Sequence, residues 1–255
     1  MGILKKNELI IYLMAGDTNL SKTLEYVLAL ERAGADIIEL GIPFSDPIAD
    51  GPTIQLADLR AFESGTTPEK VLELVKTIRK ESDIPIAIMT YYNIIFNFGE
   101  EQFVKRASAV GVDGIIVPDL PIEKSDALIK AARAYDIATI FLASPASSNE
   151  RIKKIIEKTK GFLYLVSVYG VTGAREELSK AAKSLIKRVK LLAEAKIPVA
   201  LGFGISKPKH VYEAVKAGAS AVIVGSAVVK IIEESASTKR IESFVKSLKS
   251  ALSDA

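Results

Sequence analysis

The sequence contains no cysteine and no tryptophan, and His210 is its single histidine. Without cysteine the chain can form no disulfide framework, no thiolate metal site and no cysteine nucleophile. One histidine likewise excludes metal sites that are built from several histidines. His210 lies in the polar start of a predicted helix, where we expect it to be solvated. These absences leave carboxylates, hydroxyls, amines and backbone groups as the available chemistry.

The sequence also lacks a concentrated block of charge and a long apolar run. Its 34 basic and 31 acidic residues give a net charge of +3, which offers no support for nucleic-acid binding. The longest apolar run, residues 9–16, is far shorter than the roughly 20 residues that a membrane span needs. Asn7 and Glu8 precede this run and no small-residue cleavage site follows it, which disfavours a signal peptide. By elimination we expect a cytoplasmic protein.

Short aliphatic runs alternate with amphipathic stretches through all 255 residues. Continuous aliphatic runs are typical of strands buried on both faces of a parallel sheet. The predicted strands lie near Leu9–Ala15, Ile37–Leu40, Pro85–Tyr91, Gly114–Val117, Ala138–Leu142, Phe162–Val166, Pro198–Gly202 and Ala221–Gly225. The predicted helices cover Ser21–Ala33, Pro68–Lys80, Glu100–Val110, Ser125–Tyr135, Glu150–Thr159, Ser179–Ala195, Lys207–Ala217 and Arg240–Leu252. In the first helix, Leu24, Val27 and Leu28 follow helical spacing and Ser21 is the expected cap.

One short phrase occurs three times, at residues 33–38, 110–115 and 217–222. Each copy has a glycine that can end a helix in the left-handed conformation, then a small polar residue, then a strand. Eight strands give about 32 residues per unit, close to the roughly 30 of a βαβ element. The pattern predicts one domain, residues 1–255, folded as a (β/α)8 barrel. A doubly wound open sheet is the alternative, although no GxGxxG motif follows the first strand.

No lysine and no histidine lies on a predicted strand or at its end. A Schiff-base aldolase and zinc chemistry are therefore disfavoured, and metal-free acid–base chemistry is favoured. Glu39 is the most pointed acid, because it interrupts the apolar run of residues 37–42. Desolvation there should raise its pKa toward neutrality, as a proton shuttle requires. The alternative is a buried, salt-bridged glutamate or one that emerges at the strand end.

Glycines after the last two strands suggest a phosphate site. Gly204 and the pair Gly225-Ser226 follow predicted strands seven and eight, whose loops usually hold phosphate in such barrels, and Gly173 in loop six could join them. Tight turns are the alternative. The loop at residues 41–52 is either a stiff surface turn or a substrate-covering loop that presents Asp50. Asp119 is typical of a turn or of a cap for the next helix.

The segment from Glu39 to Gln55, ELGIPFSDPIADGPTIQ, resembles the signature of the tryptophan synthase alpha chain family. Residues 170–173 and 202–204 resemble loops six and seven of that family. The resemblance implies a lyase that cleaves indole-3-glycerol phosphate to indole and glyceraldehyde 3-phosphate in tryptophan biosynthesis. It also implies an αββα heterotetramer with a beta subunit. Pyridoxal phosphate is expected only in that partner, and no cofactor or metal in this chain.

The resemblance assigns roles to individual residues. Glu39 is the implied acid–base and Asp50 stabilises charge at the indole nitrogen. The implied substrate-binding residues are Tyr12, Met89, Ile116, Tyr164, Thr172 and Phe203. The implied phosphate-binding residues are Gly173, Gly204, Gly225 and Ser226. The sequence departs from the family at Tyr12 and Met89, where Phe and Leu are expected, and at Asp58, where Asn is expected and which we associate with the partner-facing loop.

Three alternatives remain open from the sequence. Another phosphate-binding barrel, such as an isomerase, is one alternative. The synthase that acts one step earlier in the same pathway is disfavoured, because it would need a lysine at a strand end and this sequence has none there. A stand-alone indole-releasing lyase would carry the same residues. A regulatory barrel that mainly activates a beta-type partner is the third, and the presence of both Glu39 and Asp50 disfavours it.

Overall fold

The computed structural model describes residues 4, 6–166, 177–194, 196–202 and 204–253. Within them, nine parallel strands form one sheet in the order β5-β4-β3-β2-β1-β9-β8-β7-β6. The strands are β1 Glu8–Met14, β2 Ile37–Gly41, β3 Ile86–Met89, β4 Gly114–Ile116, β5 Ala138–Ile140, β6 Leu142–Ala143, β7 Leu163–Val166, β8 Val199–Gly202 and β9 Ala221–Val224. The first and last strands of this order are consecutive in the chain, so the sheet closes on itself.

The predicted fifth strand is divided in two at Phe141. The β5 segment pairs with β4 and the β6 segment pairs with β7, so this broken strand joins the two edges. The Tyr164 amide donates to the Phe141 carbonyl at 3.0 Å, which continues the ladder across the break. The predicted (β/α)8 barrel is thus confirmed, and the open-sheet alternative is wrong.

Helices surround the sheet, and most follow a strand. They are α1 Leu20–Arg32, α2 Pro52–Glu63, α3 Pro68–Ile78, α4 Tyr92–Phe98, α5 Glu100–Ala109, α6 Asp126–Ala134, α7 Asn149–Lys158, α8 Lys180–Ala193, α9 Pro208–Ala217, α10 Ser226–Ser235 and α11 Thr238–Ser253, with a 3₁₀ turn at Ile122–Lys124. The sequence patterns predicted eight of these and missed α2, α4 and α10. Among the helices of the described ranges, none combines the length and the apolar composition that a membrane crossing requires.

Alternate strand residues divide the buried side chains into two layers. Ile10, Ile37 and Ile116 belong to a cluster inside the barrel, together with Tyr164. The intervening residues, such as Leu9, pack outward in the larger cluster between sheet and helices. A strand buried on both faces reads as a continuous aliphatic run, which explains why the strands were easily predicted.

The first helix begins and packs differently from its prediction. Asn19, not Ser21, is its cap, because the Asn19 side chain accepts a hydrogen bond from the Lys22 amide at 2.8 Å. Its buried face includes Tyr26 and Leu30. His210 is also a correction, since it is 1% exposed and its Nδ1 accepts from the Ser206 amide at 3.3 Å. It lies in the first turn of α9, among the buried residues of that helix.

The motif that occurs three times connects two neighbouring strands in the same way in each copy, and we call this connection a clamp. In each copy the glycine has a positive φ, as predicted, at 101° for Gly34, 92° for Gly111 and 108° for Gly218. The polar residue that follows then binds the start of the preceding strand twice. The Asp113 amide donates to the Ile86 carbonyl and its Oδ2 accepts from the Ile86 amide at 2.8 Å.

The other two copies make the same pair of bonds. Asp36 binds both backbone groups of Leu9, and Ser220 binds both backbone groups of Val199. Because each clamp fixes one residue pair, it fixes the register of its strands, and a one-residue slip would turn every side chain to the other face.

We expect Asp113→Ala to destabilise the barrel by about 1–3 kcal/mol, because the Ile86 amide loses its acceptor. The Arg79 guanidinium, 2.9 Å from Asp113 Oδ2, loses its partner as well. Asp113→Asn keeps an oxygen acceptor and should cost clearly less. Urea unfolding followed by circular dichroism measures both, with exposed Asp83→Ala as the control. Equal losses for the alanine and asparagine variants would contradict the clamp.

Candidate active site

Strand register places Glu39 inside the barrel near its carboxyl-terminal end. Glu39 lies beside Tyr12 of β1 and Ala87 of β3, and it follows the interior residue Ile37 by two positions along β2. Because side chains alternate along a strand, Glu39 shares the interior face with Ile37. Ala87 presents only a methyl group, so the barrel has room for the longer carboxylate. The carboxyl-terminal end of the strands is where barrels of this type hold their active sites.

The Glu39 carboxyl is buried without compensation. The residue is 1% exposed, and neither oxygen has a hydrogen-bond partner among the described residues. Burial, together with the smaller effect of the nearby charge of Asp50, raises its pKa from 4.5 to about 8. At neutral pH this side chain is therefore mostly a neutral acid that can donate a proton. Among the described residues, none forms the salt bridge that one of the alternative interpretations expected for Glu39.

Two tyrosines beside Glu39 are accommodated by glycines on neighbouring strands. An added Cβ at Gly41 would lie 2.4 Å from the Tyr12 hydroxyl, and one at Gly202 would lie 2.4 Å from the Tyr164 ring. Side chains at either glycine would displace the ring it faces. Both tyrosines are buried, burial is the main cause that raises the pKa of each, and the charge of Glu39 adds to it. They form a wall that keeps Glu39 out of water.

Asp50 approaches from the loop between β2 and α2. The Tyr91 hydroxyl donates to Asp50 Oδ2 at 2.7 Å and accepts from the Ala49 amide at 2.9 Å. Burial raises the Asp50 pKa, and the bond from Tyr91 acts against that rise. Tyr91 therefore fixes the carboxylate and its loop together. The sequence argument placed Tyr91 at a strand end without giving it a role.

Asp58, the acid that stands where the family has asparagine, is buried on α2 with 2% of its surface exposed. Its Oδ1 accepts from the Phe44 amide at 3.0 Å. The Phe44 ring stacks on Tyr91 with ring centroids 4.9 Å apart. The signal available in the sequence was the departure from asparagine, which by itself does not show burial.

The other described residues predicted to bind the indole ring belong to two adjoining clusters, the interior cluster and the cluster that contains Tyr12. Met89 contacts both the interior cluster and the cluster of Tyr12 above it, and Ile116 lies fully buried in the interior cluster. Both belong to neighbouring strands, with Met89 opposite Ile116 in the ladder. The structure thus brings Tyr12, Met89 and Ile116 to one side of the barrel. Phe203 lies outside the described residues.

Of the predicted phosphate residues, three are described. Gly204 has a φ of 77° just after β8, Gly225 precedes α10, and Ser226 is the first residue of that helix. Gly225 lies against Tyr12, since a Cβ there would be 3.3 Å from the tyrosine Cβ. The amino-terminal end of α10 therefore opens toward the same end of the barrel as Glu39. Thr172 and Gly173 lie outside the described residues.

Two expectations about polar residues can be compared with the structure. Asp119 lies in a turn, as expected, and its Oδ1 accepts from the Tyr92 amide at 2.9 Å, so it binds the start of α4 rather than that of the next helix. No group of three or more acidic or histidine side chains in the described ranges could hold a metal ion. The strands contain no lysine or histidine in the described part, so carboxyl and hydroxyl groups dominate this end of the barrel.

Comparisons with known proteins agree with this geometry. The family model described as the tryptophan synthase alpha chain matches residues 3–253. The alpha chain of Methanosarcina barkeri is 47% identical over 97% of this chain and 92% of its own length. That of Methanocaldococcus jannaschii is 51% identical over 88% of this chain and 79% of its own. A structure from the tryptophan synthase α2β2 complex of Pyrococcus furiosus has a TM-score of 0.91 and 47% identity, covering 96% of this chain and 98% of that one.

Proposed function

The chain belongs to the tryptophan synthase alpha chain family, and from that membership we propose how its residues perform the reaction. It is a lyase that cleaves indole-3-glycerol phosphate to indole and glyceraldehyde 3-phosphate in tryptophan biosynthesis. The cleavage is a retro-aldol step. The observation that carries our assignment of roles is the uncompensated Glu39 carboxyl inside the barrel mouth.

Glu39 serves as acid and then as base. The bond between the indole ring and the glycerol carbon breaks only after the ring carbon has gained a proton, which turns indole into a good leaving group. A neutral Glu39 supplies that proton. The resulting carboxylate then takes the proton of the hydroxyl on the glycerol carbon that was bonded to the ring. The oxygen of that hydroxyl becomes the aldehyde oxygen as the bond to the ring breaks. Burial favours the first role, and the charge left after donation favours the second.

Asp50 stabilises the positive charge that the protonated ring places on its nitrogen. Tyr91 occupies Oδ2 of Asp50, so Oδ1 is the oxygen we assign to the ring N–H. Because their surroundings separate the pKa values of these two neighbouring carboxyls, Asp50 is charged while Glu39 is neutral. One site thereby provides both an acid and an anion. Tyr164 flanks the reacting groups, and we assign Thr172 to closure of loop six against Asp50.

The substrate is held at its two ends. Tyr12, Met89, Ile116 and Phe203 are the residues that we assign to the indole ring. Gly173, Gly204, Gly225 and Ser226 are the residues that we assign to the phosphate. The positive end of the α10 helix favours an anion at Ser226, and glycine lets the backbone approach it. The phosphate does not react, so its binding energy is available to orient the bond that breaks.

The chain works as the alpha subunit beside a beta subunit, as in the related α2β2 complex. We propose the face around α2 as the docking surface. Leu56, Leu59 and Phe62 follow one another at intervals of three on α2, and Ile48 on the adjoining loop is 83% exposed. Exposed apolar side chains gathered at one place are typical of a protein interface. The same loop carries Asp50, so docking and catalysis share it.

The remaining assignments concern cofactor, domain and location. We propose that the cleavage uses only side chains and backbone groups of this chain, and that pyridoxal phosphate belongs to the beta partner. A single domain over residues 1–255 and a cytoplasmic location stay predictions. The stand-alone lyase and the regulatory barrel are tested by one assay, indole release by the isolated chain with and without a beta subunit. Indole release that is low alone and rises with the partner supports the proposal.

Glu39→Gln should reduce indole release by at least about 100-fold, because the amide cannot exchange a proton at neutral pH while positioned acid–base catalysis contributes roughly 10²–10⁴-fold. Exposed Glu63→Gln on α2 is the matched control. Steady-state indole release by the isolated chain measures both. Activity within about tenfold of the unmodified chain would remove Glu39 from the mechanism.

Ser226→Asp should raise KM for indole-3-glycerol phosphate with a smaller effect on kcat, because the new charge repels the phosphate in ground and transition states alike. Ser235→Asp introduces the same charge at the far end of α10 and should leave KM unchanged. Initial rates over a range of substrate concentrations separate the two constants. An unchanged KM in the Ser226→Asp variant would place the phosphate elsewhere.

Leu59→Asp should weaken binding of the beta subunit at least about tenfold, because a buried interface charge without a partner is costly. Leu191→Asp on α8 is the control, since Leu191 is 80% exposed and lies outside the proposed docking face. Titration of the beta subunit by calorimetry gives both dissociation constants. Equal constants for the two variants would move the docking surface away from α2.

A further inference from the structure

Asp58 is a buried acid that the proposed mechanism does not use. It is 2% exposed, and its Oδ1 accepts from the Phe44 amide at 3.0 Å. Its Oδ2 is buried and has no hydrogen-bond partner among the described residues. A carboxylate could accept several hydrogen bonds, so one that receives a single bond in a dry place is poorly solvated. This surrounding suits a neutral carboxylic acid better than an anion.

The charge that acts on Asp58 from the preceding loop, that of Asp50, is also negative. Tyr12 on β1 and Tyr91 after β3 are neutral hydroxyls; burial is the main cause that raises the pKa of each, and the charge of Asp58 adds to it. Glu39 on β2 is the other acid whose charge acts on Tyr12. Burial and Asp50 raise the pKa of Asp58 from 3.8 to about 7, against the lowering effect of the Phe44 bond.

The cation nearest in sequence does not compensate Asp58. Arg60 binds Asp17 at 2.6 Å and Glu233 at 3.0 Å, toward β1 and α10. On the α10 side, the small cluster that packs against α2 contributes Val229, an apolar residue. Asp58 therefore lies among acids and hydroxyls, with the Phe44 amide as the group that contacts it.

Through that amide Asp58 acts on Asp50. The Phe44 backbone is bound by Asp58, and the Phe44 ring stacks on Tyr91, whose hydroxyl holds Asp50 Oδ2. The path contains one hydrogen bond, one ring contact and a second hydrogen bond. A change of charge at Asp58 thus reaches Asp50 both through these contacts and through direct repulsion.

We propose that Asp58 is a positioning residue for the cleavage, which in its neutral form anchors the Asp50 loop through Phe44 and which on ionisation opposes the Asp50 carboxylate. This proposal rests on the proposed function of Asp50. An asparagine would anchor the same amide without titrating. The aspartate therefore adds a dependence on pH that an amide at this position would not have.

Activity as a function of pH tests the proposal. We expect Asp58→Asn to match the unmodified chain near pH 5.5 and to exceed its kcat/KM at least about threefold near pH 8.5, where Asp58 is ionised. Asp58→Ala should be slower than Asp58→Asn at every pH, because it loses the Phe44 anchor. Exposed Asp83→Asn is the control. A ratio between Asp58→Asn and unmodified chain that does not change with pH would overturn the proposal.

Thermal unfolding of the same variants separates this proposal from the proposed function. An acid whose pKa is raised on folding stabilises the fold below its unfolded pKa and loses that contribution as pH rises through the folded value. The difference between the melting temperature of Asp58→Asn and that of the unmodified chain should therefore increase in favour of the variant as the pH rises from 4 to about 7. A constant difference would show that Asp58 does not titrate as proposed, whatever the activity assay gives.

Discussion

The Glu39 carboxyl lies inside a closed barrel with no hydrogen-bond partner among the described residues, and the rest of the site depends on that burial. Leaving a polar group unpaired in a protein interior costs about 1–3 kcal/mol by mutational measures. The cost is tolerated because the aliphatic layers on both faces of the sheet stabilise the barrel independently of this residue. The same burial keeps the proton on Glu39 at neutral pH, so the local instability is the source of the acid.

The acids around Glu39 are arranged so that they differ in charge. Asp50 receives the Tyr91 hydrogen bond, which favours its anion, whereas Glu39 receives none among the described residues. Asp58 stands between these extremes with its single bond from Phe44. Burial raises the pKa of all three carboxyls, and hydrogen bonds oppose that rise at Asp50 and Asp58. This difference decides which carboxyl gives a proton and which stabilises a cation.

The barrel itself could be predicted from the sequence because a doubly buried strand leaves a one-dimensional signal. Glu39 could be predicted for the same reason, as the single acid within an aliphatic run. The helices α2 and α10 were missed because they directly follow loops that were interpreted by their glycines and acids, and α4 because its seven residues follow a strand end. The roles of Tyr91 and Asp58 depend on contacts between separate segments, and the burial of His210 depends on the packing of α9 against the rest of the fold. No local pattern records such contacts, so these side chains were misplaced or given no role.

Direct titration of the Glu39 carboxyl tests the central claim most closely. The measurement is carbon-13 NMR of the chain labelled at glutamate side-chain carboxyls, with the Glu39 resonance assigned by its absence from Glu39→Gln. We predict that this resonance changes with a midpoint near pH 8, well above the 4.5 of an ordinary glutamate. A midpoint near 4.5 would show an ionised Glu39 at neutral pH and would contradict its role as the acid that begins the cleavage.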